Sequence, residues 1–275
     1  MKKSFLLLTA LLAALVLIVS CGEDPFFKDV TFLDEDGKEI SSQIVLVGDK
    51  ATEPEIEIDG YSVKKWQTED GEEFDFNTPI SDHIRLKAFW REIKVGDKGP
   101  AGGVVFYDAG SVKTNTYKDK NNKDVEYTWR YLEAAPSETD ETYYFGYYYK
   151  DNGNLSYCGA TAYAIGNGRM TTSLLVNAMG DTARISTKST ETAVYAAKYA
   201  DDYTYGGFDD WFLPSTHEIR SLINSKTVTP KYQYYMSSTE YGLNPTYKIC
   251  TNKDGAEDYP DRDFNQAHVW PIRAF

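Results

Sequence analysis

The chain has 275 residues, of which 41% are hydrophobic, and a formal net charge of −13. This composition is that of a globular protein, and the length fits one large domain or two ordinary ones. The acidic balance argues against nucleic-acid binding, which requires a basic surface to meet phosphates. Three cysteines are too few for a disulfide-dense scaffold or for a zinc site built from four cysteines.

Residues 1–21 predict an export signal. Lys2 and Lys3 give a positive start, Phe5 to Val19 is almost wholly apolar, and small residues follow. This order is typical of a secretory signal, and the run is short for a membrane span of roughly 20 residues. The ending Ser20-Cys21-Gly22 resembles a bacterial lipobox, which implies that Cys21 becomes a lipidated N-terminus. The alternative is a shortened transmembrane anchor with an incidental cysteine.

The signal indicates where the protein works. We expect residues 22–28 to be a tether and the mature chain to sit in the bacterial envelope. There it would be lipid-anchored and extracytoplasmic, at the outer membrane or cell surface, with the membrane as its partner through the lipid. Cys158 and Cys250 would then lie where disulfides persist, so a single bridge between them is one expectation. Two buried free thiols are the alternative.

Residues 29–91 predict a small β domain. Short apolar runs alternate with turn signals, of which Asp36-Gly37 is a strong hairpin dipeptide. Several elements match a known repeat in order and spacing: Val30-Thr31-Phe32, Asp36-Gly37, Gly48, Ala51, Pro54, Gly60-Tyr61, Trp66, Phe76, Thr78-Pro79-Ile80 and Leu86 to Trp90. In these elements the segment resembles a single InlB B-repeat, also called the Listeria–Bacteroides repeat. The resemblance implies a β-grasp-like spacer or adhesive module.

Residues 92–275 predict a second domain with both strands and helices. The glycines between Gly99 and Gly103 precede a strand, whereas a phosphate-binding loop follows one, so they predict a strand start. Thr171 or Thr172 is the expected cap of a first helix ending at Gly180, and Thr190 that of a second. A third helix is expected after a capping box; its residues are Ser215, Thr216, His217 and Glu218.

Five ordered motifs in this domain point to a second family. They are Gly99 to Tyr107, Trp129 to Ala135, Gly206 to Ser215 with Glu218, Ser237 to Glu240, and Val269 to Phe275. The set resembles the DUF1566 family, named also for the C-terminal domain of a Legionella collagen-like adhesin. That family is thought to be related to C-type-lectin-like domains and, more distantly, to formylglycine-generating enzymes. The resemblance implies a compact α+β domain with long loops; Met236 and Trp270 depart from the family pattern.

The sequence gives no firm catalytic, metal or cofactor site. Neither a calcium-dependent sugar motif nor a Gly-x-Ser-x-Gly elbow is present. Four aspartates near the C-terminus could bind calcium, which prefers carboxylate ligands, but their spacing differs from that of an EF-hand. They are Asp254, Asp258, Asp261 and Asp263. The alternative is an acidic loop exposed to solvent. Glu133, Asp210 and Glu218 are expected to have structural roles. An oxidase would need Cys158 and Cys250 as its reactive pair.

A tyrosine-rich segment is the remaining feature, and tyrosine suits contact surfaces because it joins apolar area to a polar group. The candidate ligand surface comprises Tyr143, Tyr144, Tyr147, Tyr148 and Tyr149. The alternative is a strand with buried faces. The sequence as a whole favours a surface lipoprotein that acts as an adhesion or ligand-binding module, without catalysis, on a protein or glycan. An enzyme of the formylglycine-generating group and a structural envelope protein are the alternatives.

Overall fold

A computed structural model describes residues 25–54, 56–58, 61–263 and 267–275. The predicted signal peptide, Cys21 and the first residues of the tether therefore lie outside the described residues. The chain forms two compact units, one formed largely by residues 25–91 and one by residues 92–275. Of the described residues, 40% lie in strands and 12% in helices, so the protein belongs to a mixed, mostly β class. Among the described residues, no helix combines the length and hydropathy that a membrane span requires.

The first unit is built around a five-stranded sheet in the order β2-β1-β5-β4-β3. A hairpin joins the first two strands, as Asp36-Gly37 predicts: Gly37 has φ of 81°, and the Asp34 carboxylate accepts from two backbone N–H groups of the turn. The first strand pairs in parallel with the last. The strands are β1 (Phe27–Leu33), β2 (Glu39–Leu46), β3 (Glu57–Ile58), β4 (Tyr61–Gln67) and β5 (Ile84–Glu92).

Aromatic rings fill the core of this unit. Phe32 of β1 lies edge-on to Trp66 of β4, with ring centroids 4.8 Å apart, and both side chains are buried. The Phe76 ring lies nearly parallel to that of Phe32, with ring centroids 6.3 Å apart. Leu86 and Ala88, two apart on β5, are buried on the same face, as the alternation along this strand predicts. The single sheet therefore has one packed face, which the aromatic side chains cover.

The second unit contains a three-stranded sheet, a five-stranded sheet and two short two-stranded ribbons. The three-stranded sheet has the order β17-β7-β6, and the five-stranded sheet has the order β15-β14-β13-β16-β8. Its strands are β6 (Val104–Lys118), β7 (Asp124–Ala134), β8 (Thr142–Tyr143), β9 (Tyr148–Tyr149), β10 (Leu155–Ser156), β11 (Ala183–Arg184), β12 (Thr192–Ala193), β13 (Tyr234–Glu240), β14 (Lys248–Asn252), β15 (Glu257–Asp258), β16 (Ala267–His268) and β17 (Ile272–Ala274).

Three helices pack on these sheets: α1 (Gly168–Met179), α2 (Ala196–Asp201) and α3 (Thr216–Ser225). The capping box of α3 is confirmed, since the Ser215 hydroxyl accepts from the Glu218 N–H and the Glu218 carboxylate accepts from the Ser215 N–H. The end of α1 at Gly180 is also confirmed. Its predicted start is wrong, because the helix already begins at Gly168 and both Thr171 and Thr172 are buried inside it.

The predicted start of α2 is also wrong. Thr190 does not cap this helix, because Thr192 and Ala193 form strand β12, which pairs with β11. The helix begins after Tyr195, whose ring is buried and whose hydroxyl donates to the Gly180 carbonyl at 2.8 Å. The alanines are consequently divided between a strand and a short helix, although their composition alone predicts one continuous helix.

Two large apolar cores hold the second unit together, beside a smaller cluster of Ile93, Val105 and Tyr131. One lies between the three-stranded sheet and α3 and contains Trp129, Phe212, Ile219 and Trp270. The other lies between α1, α2 and the five-stranded sheet and contains Phe145, Leu175 and Cys250. The segment from residue 208 to 215 contributes Trp211 and Phe212 to the first core and Leu213 to the second. This segment therefore joins both cores and positions the side chains of the site described next.

Candidate functional site

A chain of ion pairs runs from the three-stranded sheet to α1. On β17, Arg273 donates to the buried carboxylate of Glu133 on β7 at 3.1 Å and also to Asp210. The Asp210 carboxylate in turn lies 3.2 Å from the guanidinium of Arg169 at the start of α1. Glu133 also accepts from the Ala101 N–H at 3.2 Å. These ion pairs fix Asp210 and Arg169 relative to the sheet. They agree with the structural roles predicted for Glu133 and Asp210.

The guanidinium of Arg169 also lies among three aromatic rings. Its central carbon is 5.3 Å from the ring centre of Tyr117, 5.0 Å from that of Tyr127 and 5.4 Å from that of Phe212. Cation–π contacts of this kind favour the charged group over the ring faces. Burial raises the pKa of Tyr127 well above its usual range, so this phenol is neutral near pH 7. Arg169 is thus held by both an ion pair and rings.

The end of the β6–β7 hairpin is tied to α1. Ser173 donates to the backbone carbonyl of Lys118, and the side-chain amide of Asn177 donates to the carbonyl of Asp119 at 3.0 Å. At the turn, the Asp119 carboxylate accepts from the Lys123 N–H at 2.9 Å. The backbone hydrogen bonds at this turn hold the pKa of Asp119 below its usual range, so this group carries a negative charge. The hairpin therefore forms a fixed wall beside the helix.

Between the hairpin end, α1 and the segment 201–212 lies a cleft of about 480 Å³. We call it the α1 cleft. Its walls combine cationic, anionic, hydroxyl, amide and aromatic side chains. The residues that line it are Tyr117, Lys118, Asp119, Lys120, Arg169, Thr172, Ser173, Val176, Asn177, Asp201, Asp209, Asp210, Trp211 and Phe212.

Two lining residues have donors without acceptors. Trp211 is 2% exposed, and its indole N–H has no hydrogen-bond partner among the described residues; the same holds for Nε–H of Arg169. The other two indoles of this unit are satisfied, because Trp129 donates to Asn115 at 2.8 Å and Trp270 donates to the Ala135 carbonyl at 2.8 Å. Buried donors are normally paired. Two residues that line the α1 cleft therefore each contain a buried donor that makes no hydrogen bond within the described residues.

A second buried ion pair holds the loop that follows β15. Arg262 and Glu240 are both fully buried and lie 3.2 Å apart, and the Arg262 guanidinium stacks over the Phe145 ring at 4.3 Å. The Glu240 carboxylate also accepts from three backbone N–H groups, those of residues 158–160. With all of these hydrogen bonds made, Glu240 is a structural group.

The predicted tyrosine surface is divided by the fold. Tyr147 is 3% exposed, and its hydroxyl donates to Asp261 at 3.1 Å and Asp263 at 2.8 Å, so it is not part of a ligand surface. The prediction is wrong for this residue because Tyr147 lies between two loops. Tyr148 and Tyr149 form β9 and are half-buried. Tyr144 is half-buried, and its backbone pairs with Tyr195. Tyr143 is half-buried on β8 and packs against the ring of Tyr199 at 4.6 Å.

Both described cysteines are free thiols. Cys250 lies on β14 in the second core, and Cys158 packs against the same core. Burial raises the pKa of Cys250 to about 12, and burial together with the nearby Glu240 carboxylate raises the pKa of Cys158 above its usual range. Both are therefore thiols rather than thiolates near pH 7. The predicted bridge is not formed in this structure, and the free-thiol alternative describes it.

The acidic residues near the C-terminus are used within the fold. Asp261 and Asp263 accept from Tyr147, and Asp254 and Asp258 are exposed. Within the described residues, no group of three or more His, Cys, Asp or Glu side chains is arranged to hold a metal ion. Of the α1 cleft, only the region around Asp209, Asp210 and Trp211 belongs to a motif noted in the sequence. Arg169 carries no local signal, because its partners are distant in the chain.

Comparison with known proteins finds no family model, no curated protein and no solved structure that matches the chain.

Proposed function

We propose that the chain is a lipid-anchored, extracytoplasmic ligand-binding protein without catalysis, and that its ligand occupies the α1 cleft. Cys21 would carry the lipid, and the first unit would be a spacer or adhesive module. The observation that carries the proposal is the cleft itself, whose walls combine charged, hydroxyl, amide and aromatic side chains.

Strand order supports the two family resemblances. In the first unit, β1 and β5 are parallel neighbours at the centre of the sheet, the arrangement expected of a β-grasp-like module. In the second unit, the first strand, β6, and the last, β17, flank β7 in one sheet, which brings the ends of the unit together. This feature favours a C-type-lectin-like, DUF1566-type domain. Such folds place variable loops on a rigid scaffold, and the segment 201–212 would be one of them.

The charges of the cleft indicate the class of ligand. Three cationic and four anionic side chains line it, and Arg169 is already paired with Asp210. A strongly charged ligand of either sign would meet like charges there. A neutral ligand rich in hydroxyl groups can donate to the carboxylates and accept from the lysine ammonium groups. We therefore favour a neutral glycan.

The state of the thiols supports binding over the oxidase alternative. A cysteine acts as a nucleophile or metal ligand in its thiolate form. The raised pKa values keep Cys158 and Cys250 protonated near pH 7. Cys250 is also buried within the second core. We therefore assign both cysteines to packing.

The test uses the full chain, purified in detergent, on an array of neutral oligosaccharides. We expect binding that falls at least tenfold when Asp201→Asn and Asp209→Asn are combined. Both side chains line the cleft and are exposed, so the double variant removes hydrogen-bonding charge without opening a core. Loss of a charge-assisted hydrogen bond at each position, worth about 1.5–3 kcal/mol, accounts for a change of this size.

The matched control is Asp151→Asn combined with Asp254→Asn, because these acids are equally exposed and do not line the cleft. It should bind like the parent chain. If both double variants lost the same amount of binding, the change in net charge would explain the loss, and the proposal would be contradicted. Absence of binding to every oligosaccharide would favour a structural envelope protein.

A further inference from the structure

Four tyrosines form a continuous row beside the α1 cleft. Tyr143 contacts Tyr199 with ring centroids 4.6 Å apart, Tyr199 contacts Tyr203 at 6.2 Å, and Tyr203 contacts Tyr205 at 6.4 Å. We call this row the tyrosine ladder. Three of its rings are half-buried, and Tyr205 is 43% exposed. The ladder is therefore part of the protein surface, although its members come from β8, α2 and the loop after α2.

The ladder reaches the cleft through Trp211. The Tyr203 ring stands edge-on to Trp211, with centroids 5.5 Å apart and planes at 88°. Trp211 lines the cleft, as does Asp201, which lies between Tyr199 and Tyr203 in the chain. A ligand seated in the cleft that continued past Trp211 would therefore meet the ladder.

The arrangement of the rings indicates what they contact. A cage for a quaternary ammonium ion needs rings around a central space, whereas these rings touch one another in a row. The rings present successive apolar groups at the surface, against which the C–H groups of sugar rings can bury apolar area. The tyrosine ladder therefore suits a ligand with several sugar units in a row better than a ligand with a single cationic group.

The charges around the ladder favour a neutral chain. Burial and the nearby Glu141 carboxylate raise the pKa values of Tyr143 and Tyr199 above their usual range, and burial also raises that of Tyr203. The phenols are consequently uncharged near pH 7 and can both donate and accept. The surrounding acids, Glu141 and Asp201 among them, would repel an anionic polymer and accept from sugar hydroxyl groups.

We propose that the tyrosine ladder is a binding surface for successive units of a neutral polysaccharide, one unit of which occupies the α1 cleft. This inference rests on the proposed function and deepens it, because it makes the ligand a polymer. Each ring adds contact area for one further unit. Affinity should therefore rise with the length of the oligosaccharide.

The test compares a disaccharide with a hexasaccharide of a glycan that the full chain binds, by calorimetry. The parent chain should bind the hexasaccharide more tightly. Tyr205→Ala should weaken hexasaccharide binding about threefold to tenfold, the effect of one aromatic contact, and leave disaccharide binding unchanged. Tyr205→Phe should restore the parent affinity, since the ring remains. Tyr163→Ala is the control, because Tyr163 is 58% exposed and is not in the ladder.

The outcomes separate the two proposals. If neither oligosaccharide binds, the proposed function fails. If both bind with equal affinity, or if Tyr205→Ala and Tyr163→Ala have the same effect, the cleft retains its ligand and the ladder proposal is overturned. Weaker binding of the disaccharide to Tyr205→Ala also overturns it, because the tyrosine would then act within the cleft.

Discussion

Replacing Arg262 by alanine is expected to lower the free energy of unfolding of the second unit by about 3–5 kcal/mol. The side chain is fully buried, and it donates to Glu240 at 3.2 Å, to the Gly146 carbonyl at 3.0 Å and to the Tyr247 carbonyl at 3.1 Å. Alanine would leave the Glu240 carboxylate buried without its counter-charge. The lost stability should therefore come more from the unpaired, buried carboxylate of Glu240 than from the ion pair itself.

Urea denaturation of the full chain measures this effect. Arg220→Ala is the matched control, because Arg220 is half-exposed and pairs with Glu257 at 2.9 Å, so its loss should cost at most about 1 kcal/mol. Arg262→Lys keeps the positive charge but loses the planar group, and it should fall between the two. Similar losses of unfolding free energy for Arg262→Ala and Arg220→Ala would contradict the conclusion that Arg262 neutralises a buried charge.

Replacing Glu218 by alanine should have the second large effect, a loss of about 3 kcal/mol or more, since each buried donor left unpaired costs about 1–3 kcal/mol. The carboxylate is fully buried and accepts from the backbone N–H groups of Gly166 at 2.8 Å, Gly168 at 3.3 Å and Ser215 at 2.7 Å. It thereby joins the start of α1 to the start of α3. Alanine would leave all three donors unpaired.

Ser215→Ala provides the comparison, because it removes the cap of α3 and leaves the three donors of the carboxylate paired. A lost cap costs about 1 kcal/mol. Thermal and urea unfolding of both variants should place Glu218→Ala well below Ser215→Ala. Equal losses would mean that Glu218 acts as a helix cap alone, with no role at the start of α1.

The sequence predicted the features that depend on neighbouring residues. The hairpin at Asp36-Gly37 and the capping box of Ser215 and Glu218 each lie within four residues, and the structure contains both. The start of α1 was predicted wrongly because its first N–H, that of Gly168, donates to Glu218, 50 residues away. Thr190 resembles a cap in isolation, yet the pairing of β11 with β12 takes the residues after it. A prediction from neighbouring residues cannot include either of these interactions, because their partners are not part of the local pattern.

The candidate site depends on the same kind of distant contact. Asp210 and Trp211 lie in a motif that the DUF1566 resemblance had drawn attention to. Arg169, in contrast, is separated from Asp210 by 41 residues and gives no local signal. Tyr147 reads as a surface tyrosine because of its aromatic neighbours, and its partners Asp261 and Asp263 are more than 110 residues away. Side chains that meet only in the folded unit therefore escaped prediction.

The most direct test of the α1 cleft is the indole N–H resonance of Trp211 in the ¹⁵N NMR spectrum of the full chain. The chain has five tryptophans, and Trp211→Phe assigns the resonance by its disappearance. On titration with a neutral oligosaccharide that binds, this resonance should shift because Trp211 lines the cleft, while those of Trp129 and Trp270, which do not line it, should move less. Saturation of binding with the Trp211 resonance unmoved would contradict the assignment of the ligand to the α1 cleft.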